Sequence, residues 1–219
     1  MDKLVVDIGG YTFQEPMALI LNWVLMIQSF YYFRKLKSWR ISDFSIYWRW
    51  FFLLFGWSTL FGGPSHFLYA YTGLAGKIPG WLSAVFAITF MELAMSSLLD
   101  DEWRQKLQVI SLVKLGLTCI SLLFAFNFTT IIIHTTGMVL FTAIPAIIFF
   151  LRGKSEINYI ILGVLALVAT LPFRLLEVDF HAWFNRDDIG HILMMVTLYC
   201  FFRGVKYREI RSDAWQLAT

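Results

Sequence analysis

Seven long apolar runs constrain the fold of this chain more than any other feature of its sequence. A helix needs about 20 predominantly apolar residues to cross about 30 Å of hydrocarbon. Because 58% of the 219 residues are hydrophobic and only 15% are charged, a water-soluble fold would leave apolar surface exposed. The sequence therefore predicts an all-α, polytopic membrane protein with a single seven-helix domain over residues 1–219. The predicted spans are residues 16–33, 44–61, 81–99, 107–126, 128–151, 157–175 and 189–202, followed by a cytoplasmic tail at 203–219.

The distribution of lysine and arginine between the predicted loops gives the orientation, since cytoplasmic loops carry an excess of these residues. Four follow the first span, two the third, two the fifth and four the seventh, against four on the opposite side. This pattern predicts an amino terminus outside and a carboxyl terminus in the cytoplasm. The inside set is Arg34, Lys35, Lys37, Arg40, Arg104, Lys106, Arg152, Lys154, Arg203, Lys206, Arg208 and Arg211, and the outside set is Lys3, Lys77, Arg174 and Arg186.

Several familiar functional motifs are absent from the sequence. It contains no Walker loop, no dinucleotide-binding glycine motif, no His-Glu-x-x-His and no Gly-x-Ser-x-Gly. Cys119 and Cys200 both lie in apolar runs, so we expect small buried hydrophobes and no disulfide. The basic residues after position 203 satisfy the orientation rule, so we predict no nucleic-acid partner. The expected partners are membrane lipids and a lipid-like substrate or ligand.

All four histidines map to the predicted extracytoplasmic half of the bundle. Ionisable side chains at membrane depth are costly and so mark functional sites. Asp188 and His191 are three residues apart, which stacks them on one helix face. That spacing suits either two metal ligands or a carboxylate that orients an imidazole. A catalytic zinc site needs three protein ligands and an open position for water. With His66 and His191, the candidate third ligands are His181, His134 and Asp188.

One carboxylate lies deeper in the predicted membrane than the others. Glu92 is about twelve residues, or roughly 18 Å, below the outer end of the third span. Lys114 and Arg49 lie within neighbouring predicted spans. We therefore expect Glu92 to pair with one of these two cations across the bundle, in a structural role.

A Ser-His pair, Ser65-His66, follows the second predicted span, and residues 184–193 open the seventh with His191 among them. On these elements and the seven-span topology, the chain resembles the superfamily of seven-helix membrane hydrolases that includes alkaline ceramidases and progestin/adiponectin receptors (the CREST group). In its better-known members, a second-helix histidine and two seventh-helix histidines spaced His-x-x-x-His hold zinc, and a serine and a third-helix aspartate assist. The resemblance implies that His66 and His191 are zinc ligands and that Ser65 is a catalytic helper.

The chain departs from that pattern at two positions. Asp187 stands where the first histidine of the seventh-helix pair would fall, and Glu92 lies too far inward to replace the third-helix aspartate. Three alternatives follow: a carboxylate replaces the imidazole, His181 fills the gap, or the metal is lost.

Residues 187–203 and the opening Glu15-Pro16 also look like uncharacterised bacterial membrane proteins that carry Asn-Asp-x-x-His at this position, which implies a bacterial inner membrane. The leading hypothesis is a zinc-dependent lipid amide or ester hydrolase of ceramidase-like type. In it, metal-bound water attacks the carbonyl, while Asp187 or Asp188 orients a ligand or shuttles a proton. The alternative is a non-enzymatic seven-helix protein that binds a lipid or a small hydrophobic ligand, or a structural subunit of a membrane complex.

Overall fold

A computed structural model describes residues 4–36, 42–124, 128–154, 157–181 and 183–218, with the backbone alone for Phe128, Arg174 and residues 211–218. Lys3, Lys37 and Arg40 of the charge pattern lie outside these ranges, as do residues 125 and 126 of the predicted fourth span. Within them the chain is all-α apart from one β-hairpin. Its elements are β1 (Val5–Ile8), β2 (Tyr11–Gln14), α1 (Pro16–Leu36), α2 (Asp43–Phe67), α3 (Tyr69–Thr72), a 3-10 turn (Ala75–Lys77), α4 (Ile78–Ser96), α5 (Asp101–Phe124), α6 (Phe128–Leu151), α7 (Asn158–Val168), α8 (Thr170–Leu175) and α9 (Arg186–Ala218).

The helices confirm a membrane protein and coincide with the seven apolar runs. In the described part of the chain, five helices are long and apolar enough to cross a membrane, namely α1, α4, α5, α6 and α9. The chain is therefore an integral membrane protein. The other two runs correspond to α2, a 25-residue helix that is not among these five, and to the shorter α7 and α8. The sixth run is divided at Ala169, shortly before Pro172.

The amino-terminal hairpin was not predicted from the sequence. Gly9 and Gly10 form its two-residue turn with φ values of +60° and +83°, which the primed hairpin turns require and glycine adopts readily. The Phe13 ring stacks on that of Phe67 at the end of α2, with centroids 4.5 Å apart. The hairpin therefore covers the end of the bundle where α2 finishes, and we call this the hairpin end.

Side-chain contacts give the relative directions of the helices. Gly62 and Gly63 of α2 approach Asn22 and Leu19 of α1, while Gly56 approaches Phe30, so these two helices run antiparallel. α9 instead runs parallel to α1, because Asn22 meets His191 near the hairpin end and Tyr32 stacks on Phe202 farther along both helices. The first turns of α1 and α9 and the last turn of α2 therefore meet at the hairpin end.

The core lies mainly among α1, α2, α4, α7 and α9, whereas α5 is more peripheral. Trp48, Phe52 and Phe201 are among the largest fully buried side chains. Leu117 and Leu123 of α5 are by contrast mostly exposed, as expected of side chains that face lipid. The polar side chains with the strongest functional implications lie in two regions, the hairpin end and the peripheral α5.

Candidate functional site

A cavity of about 510 Å³ at the hairpin end brings together several residues that the sequence predicts as functional. It lies among α1, α2, α4 and α9. Apolar side chains, Phe55, Trp81 and Met194 among them, form part of its wall. An apolar wall with a few convergent polar groups is typical of a site that binds a small molecule. The polar lining consists of Asn22, Thr59, His66, Lys77, Thr170, Arg186, Asp187 and His191.

His66 enters this cavity as half of a carboxylate–imidazole pair. Its Nδ1 is 2.8 Å from Oε2 of Glu15, a residue that is only 5% exposed. Because an ionised carboxylate only accepts hydrogen bonds, Nδ1–H is the donor and Nε2 remains for a ligand. Glu15 has φ +48°, in the left-handed region that residues other than glycine rarely adopt. Its own N–H donates to Leu4 O next to the hairpin, which helps to fix this backbone. Such unusual backbone conformations cluster at functional sites.

His191 has the same Nδ1 arrangement but a different environment at Nε2. Its Nδ1 donates to the backbone oxygen of Asp187 at 2.7 Å. Nε2 then accepts from the Asn22 amide at 2.9 Å, and Asn22 also donates to Ala18 O. Asn22 was not predicted as a site residue. The sequence feature that could have indicated this role is the position of its amide within an otherwise apolar run.

Asp187 and Asp188, in the first turn of α9, have different roles. The Asn185 side chain accepts hydrogen bonds from the N–H groups of Asp187 and Asp188, and the Asp188 carboxylate accepts from the Asn185 N–H at 2.9 Å. This reciprocal arrangement is a capping box. Asp188 is 2% exposed and stabilises the helix start, whereas Asp187 lines the cavity.

The two cations on the cavity wall are held by neighbouring groups. Nη1 of Arg186 lies 3.2 Å from Oε2 of Glu177, and its Nε lies 3.4 Å from Oδ1 of Asp179. The Arg186 backbone N–H also donates to Asp179 and lowers the pKa of that carboxyl. The Lys77 ammonium lies 5.2 Å from the centre of the Tyr69 ring. Both cations are therefore positioned before a ligand binds.

The structure does not bring three other predicted residues to this cavity. The Ser65 hydroxyl is buried and donates to Gly62 O within α2. His181 is exposed in the loop before α9, where its Nδ1 accepts from the Trp183 N–H. His134 lies in α6, between the Thr118 hydroxyl and Val85 O.

The cavity lies within the part of the chain that matches a known protein family. A family model, described as a family of unknown function, matches residues 17–210. The chain belongs to the DUF6962 family. The match includes all eight polar residues of the cavity wall, and Glu15 lies two residues before it. Comparisons with the curated proteins and with the solved structures give no match.

The donor set of the cavity meets part of what zinc requires. In both His66 and His191 an acceptor at Nδ1 orients the ring, as in typical histidine ligands of zinc. However, the described residues contain no group of three or more His, Cys, Asp or Glu arranged to hold a metal. The Asn22 amide also donates to the His191 Nε2 that a metal would need. These residues do not fit a three-ligand zinc site as arranged, so zinc binding stays a prediction.

Away from the cavity, the structure identifies the partner of Glu92. The Lys114 ammonium of α5 binds its carboxylate directly, which confirms one of the two predicted pairings. Arg49, the other candidate, has its guanidinium 5.5 Å from the centre of the Phe33 ring. A polar cluster thus lies between α4 and α5, in addition to the one at the hairpin end.

Proposed function

We propose that this chain is an intramembrane hydrolase of a lipid amide or ester, formed by seven spans with the amino terminus outside a bacterial inner membrane. The observation that carries the proposal is the Glu15–His66 pair on the wall of a cavity with apolar and cationic surfaces. Positioned imidazoles are the commonest general bases, and an apolar wall suits an acyl chain. The hairpin end then faces the outer leaflet.

In this mechanism His66 is the general base. Glu15 holds the Nδ1–H, so the Nε2 lone pair is available to take a proton from water. The water oxygen bonds to the carbonyl carbon as that proton moves to Nε2. The protonated imidazole then returns the proton to the leaving nitrogen or oxygen as the carbon–nitrogen or carbon–oxygen bond breaks. The products are a carboxylic acid and an amine or an alcohol.

The cations give the cavity a means to stabilise the charge that develops on the carbonyl oxygen. Lys77 and Arg186 both line the wall and are already positioned by neighbouring groups. Fixed positive charge near a developing oxyanion acts strongly where water is excluded. Asp187 lines the same wall and is available to bind the amine or hydroxyl of the substrate.

The test is hydrolysis by the purified full-length protein in lipid nanodiscs, with ceramides and other lipid amides and esters as substrates and mass spectrometry of the released fatty acid. His66→Ala should lower turnover by about 10²- to 10⁴-fold, the usual contribution of a general base. His181→Ala is the matched control, since this exposed loop histidine does not line the cavity. No hydrolysis by the wild type, or equal rates for His66→Ala, would sink the proposal.

Zinc is tested separately by elemental analysis of the wild type, His66→Ala and His191→Ala. About one zinc per chain that is lost in both variants supports a metal-dependent form of the reaction, for which zinc needs a third protein ligand. A metal-free wild type that still hydrolyses lipid supports the mechanism through His66 alone.

A second candidate function is binding of an amphiphilic ligand without catalysis. The hydrogen bond from Asn22 to His191 favours it, because it leaves the imidazole in a satisfied, structural arrangement. A lipid that raises the melting temperature of the wild type but is recovered intact supports this alternative.

A further inference from the structure

One face of α5 is polar along most of the length of the helix. The five residues on this face are separated by three or four positions, the spacing that places side chains in one line along a helix. Neighbouring positions such as Val113 and Leu117 are apolar and mostly exposed. The polar line is Gln108, Ser111, Lys114, Thr118 and Ser121.

Near the middle of α5, this line contains the Glu92–Lys114 ion pair. Glu92 has no exposed surface, and 20% of the Lys114 side chain is exposed. Lys114 also donates to His134 O at 3.1 Å. Ionisable residues at this depth are rare in membrane helices and typically occur on ion or proton pathways.

Toward the hairpin end, the polar line continues through side chains of α6. Oγ1 of Thr118 lies 2.9 Å from Nδ1 of His134, and Oγ of Ser121 lies 2.9 Å from Oγ1 of Thr130. A groove of about 370 Å³ between α5 and α6 reaches Thr118, Ser121 and Thr130 and also Lys114. Polar groups are therefore continuous from the ion pair to this end of the helix.

From Glu92 away from the hairpin end, four buried polar atoms have no hydrogen bond within the described part of the chain. Oε2 of Glu92, Oγ of Ser111 and Nε2 of Gln108 are buried without a hydrogen bond to any described residue, and so is Oγ1 of Thr142 on α6. The Ser111 hydroxyl lies beside the Glu92 carboxyl without the geometry of a hydrogen bond. A buried polar group without a partner is unfavourable, most of all in hydrocarbon, and bound water is the usual partner in such places.

We propose that Glu92 is a proton-exchange site inside the membrane, hydrated by water bound beside Ser111. In the exchange, a hydronium ion gives its proton to the Glu92 carboxylate and leaves as water, and the reverse step restores the carboxylate. The site lies outside the hairpin-end cavity and does not depend on the proposed hydrolase.

The charged and titratable groups beside the Glu92–Lys114 pair come from α5 and α6, whereas the cation of α2 has a different partner. α5 contributes Lys114, and α6 contributes His134 about two turns closer to the hairpin end. From α2, Arg49 directs its guanidinium over Phe33 of α1. A purely structural ion pair would need no water, because a well-packed pair satisfies both carboxylate oxygens within the protein. Here Oε2 of Glu92 is left for a further partner.

The test uses a membrane-permeant carbodiimide, dicyclohexylcarbodiimide, on the full-length protein in nanodiscs between about pH 5 and about pH 9. This reagent adds to a carboxyl that carries a proton, and the adduct is stable in apolar surroundings. Peptide mass spectrometry then measures the product at Glu92, as the sum of the stable N-acylurea and the amide that the adjacent Lys114 amine forms when it displaces the urea, with Glu92→Gln as the blank. We expect an adduct whose yield rises several-fold as the pH falls. No adduct at any pH, or a yield that does not depend on pH, would overturn the proposal.

Ser111→Val tests the water. Valine is larger than serine by one heavy atom and offers no hydroxyl, so it should exclude the water beside Glu92 and lower the adduct yield several-fold. Val113→Ala is the matched control on the lipid-facing side of the same helix and should leave the yield unchanged. An unchanged yield in Ser111→Val would overturn the hydrated site.

Discussion

At the scale of single residues, the two cavity histidines differ in the atom that faces Nε2. In His66 the Nδ1–H binds the Glu15 carboxylate, and in His191 it binds the Asp187 carbonyl. The Asn22 amide occupies Nε2 of His191 but not that of His66. Among the described residues, Nε2 of His66 therefore has no hydrogen-bond partner, while the Asn22–His191 contact joins α1 to α9.

The role of Glu15 is tested by Glu15→Gln. The amide still accepts from Nδ1–H but lacks the charge that would stabilise an imidazolium in the proposed hydrolysis. We expect kcat to fall by up to about 10⁴-fold with little change in KM, the effect of the same carboxylate-to-amide change beside a catalytic histidine. Steady-state kinetics in nanodiscs measure this, and a raised KM with unchanged kcat would instead indicate a role in substrate binding.

The Asn22–His191 contact is tested by the free energy of unfolding. Asn22→Leu leaves the part-buried Nε2 of His191 without its partner, so we expect a loss of about 1–3 kcal/mol in the free energy of unfolding. The double variant Asn22→Leu, His191→Leu removes both polar groups and should lose less than Asn22→Leu alone. Denaturant unfolding in detergent measures both. Equal stability of Asn22→Leu and the wild type would contradict a structural role for the contact.

At the scale of helices, the length of the apolar runs was enough to predict where the helices lie, but local elements were harder to predict. The Gly9-Gly10 turn was a signal for the hairpin that the predicted spans ignored. Pairing across the sequence was not predictable from spacing. Glu15 and His66 are 51 residues apart and Asn22 and His191 are 169 apart, so packing of the bundle decides both contacts.

The packing of α2 against α4 depends on a glycine. A Cβ on Gly80 would lie 3.1 Å from the backbone oxygen of Ser58 and 3.4 Å from Gly62 N. Because backbone atoms cannot move aside as a side chain can, Gly80→Ala should separate the helices and lower the free energy of unfolding by about 1–3 kcal/mol.

Gly116→Ala is the control for Gly80→Ala. It lies in the interior of α5, where a Cβ would have no neighbour within 4 Å. Alanine is the better helix former, so we expect unchanged stability or a gain of up to about 1 kcal/mol. Thermal unfolding of both variants in the same detergent gives the comparison, and an equal loss in the two would mean that close helix packing at Gly80 is not the cause.

At the scale of the whole molecule, the number of crossings decides which loops share a side. With seven crossings, Ala75 lies outside and Lys154 in the cytoplasm. If only the five long apolar helices cross, with α2, α7 and α8 on the membrane surface, both positions change sides. The excess of basic residues in the loops after the first, third, fifth and seventh runs favours seven, since these loops then all face the cytoplasm.

Cysteine accessibility distinguishes the two topologies. In a background of Cys119→Ser and Cys200→Ser, single variants Ala75→Cys and Lys154→Cys place a thiol at exposed positions. With seven spans, a membrane-impermeant thiol reagent applied to intact cells should label Ala75→Cys at once and Lys154→Cys only after the membrane is opened. Asp7→Cys is the control, because the hairpin is outside in both topologies. Labelling of Lys154→Cys in intact cells would exclude seven spans and place the basic loops after the third and fifth runs outside, against the electrostatic rule that orients membrane proteins.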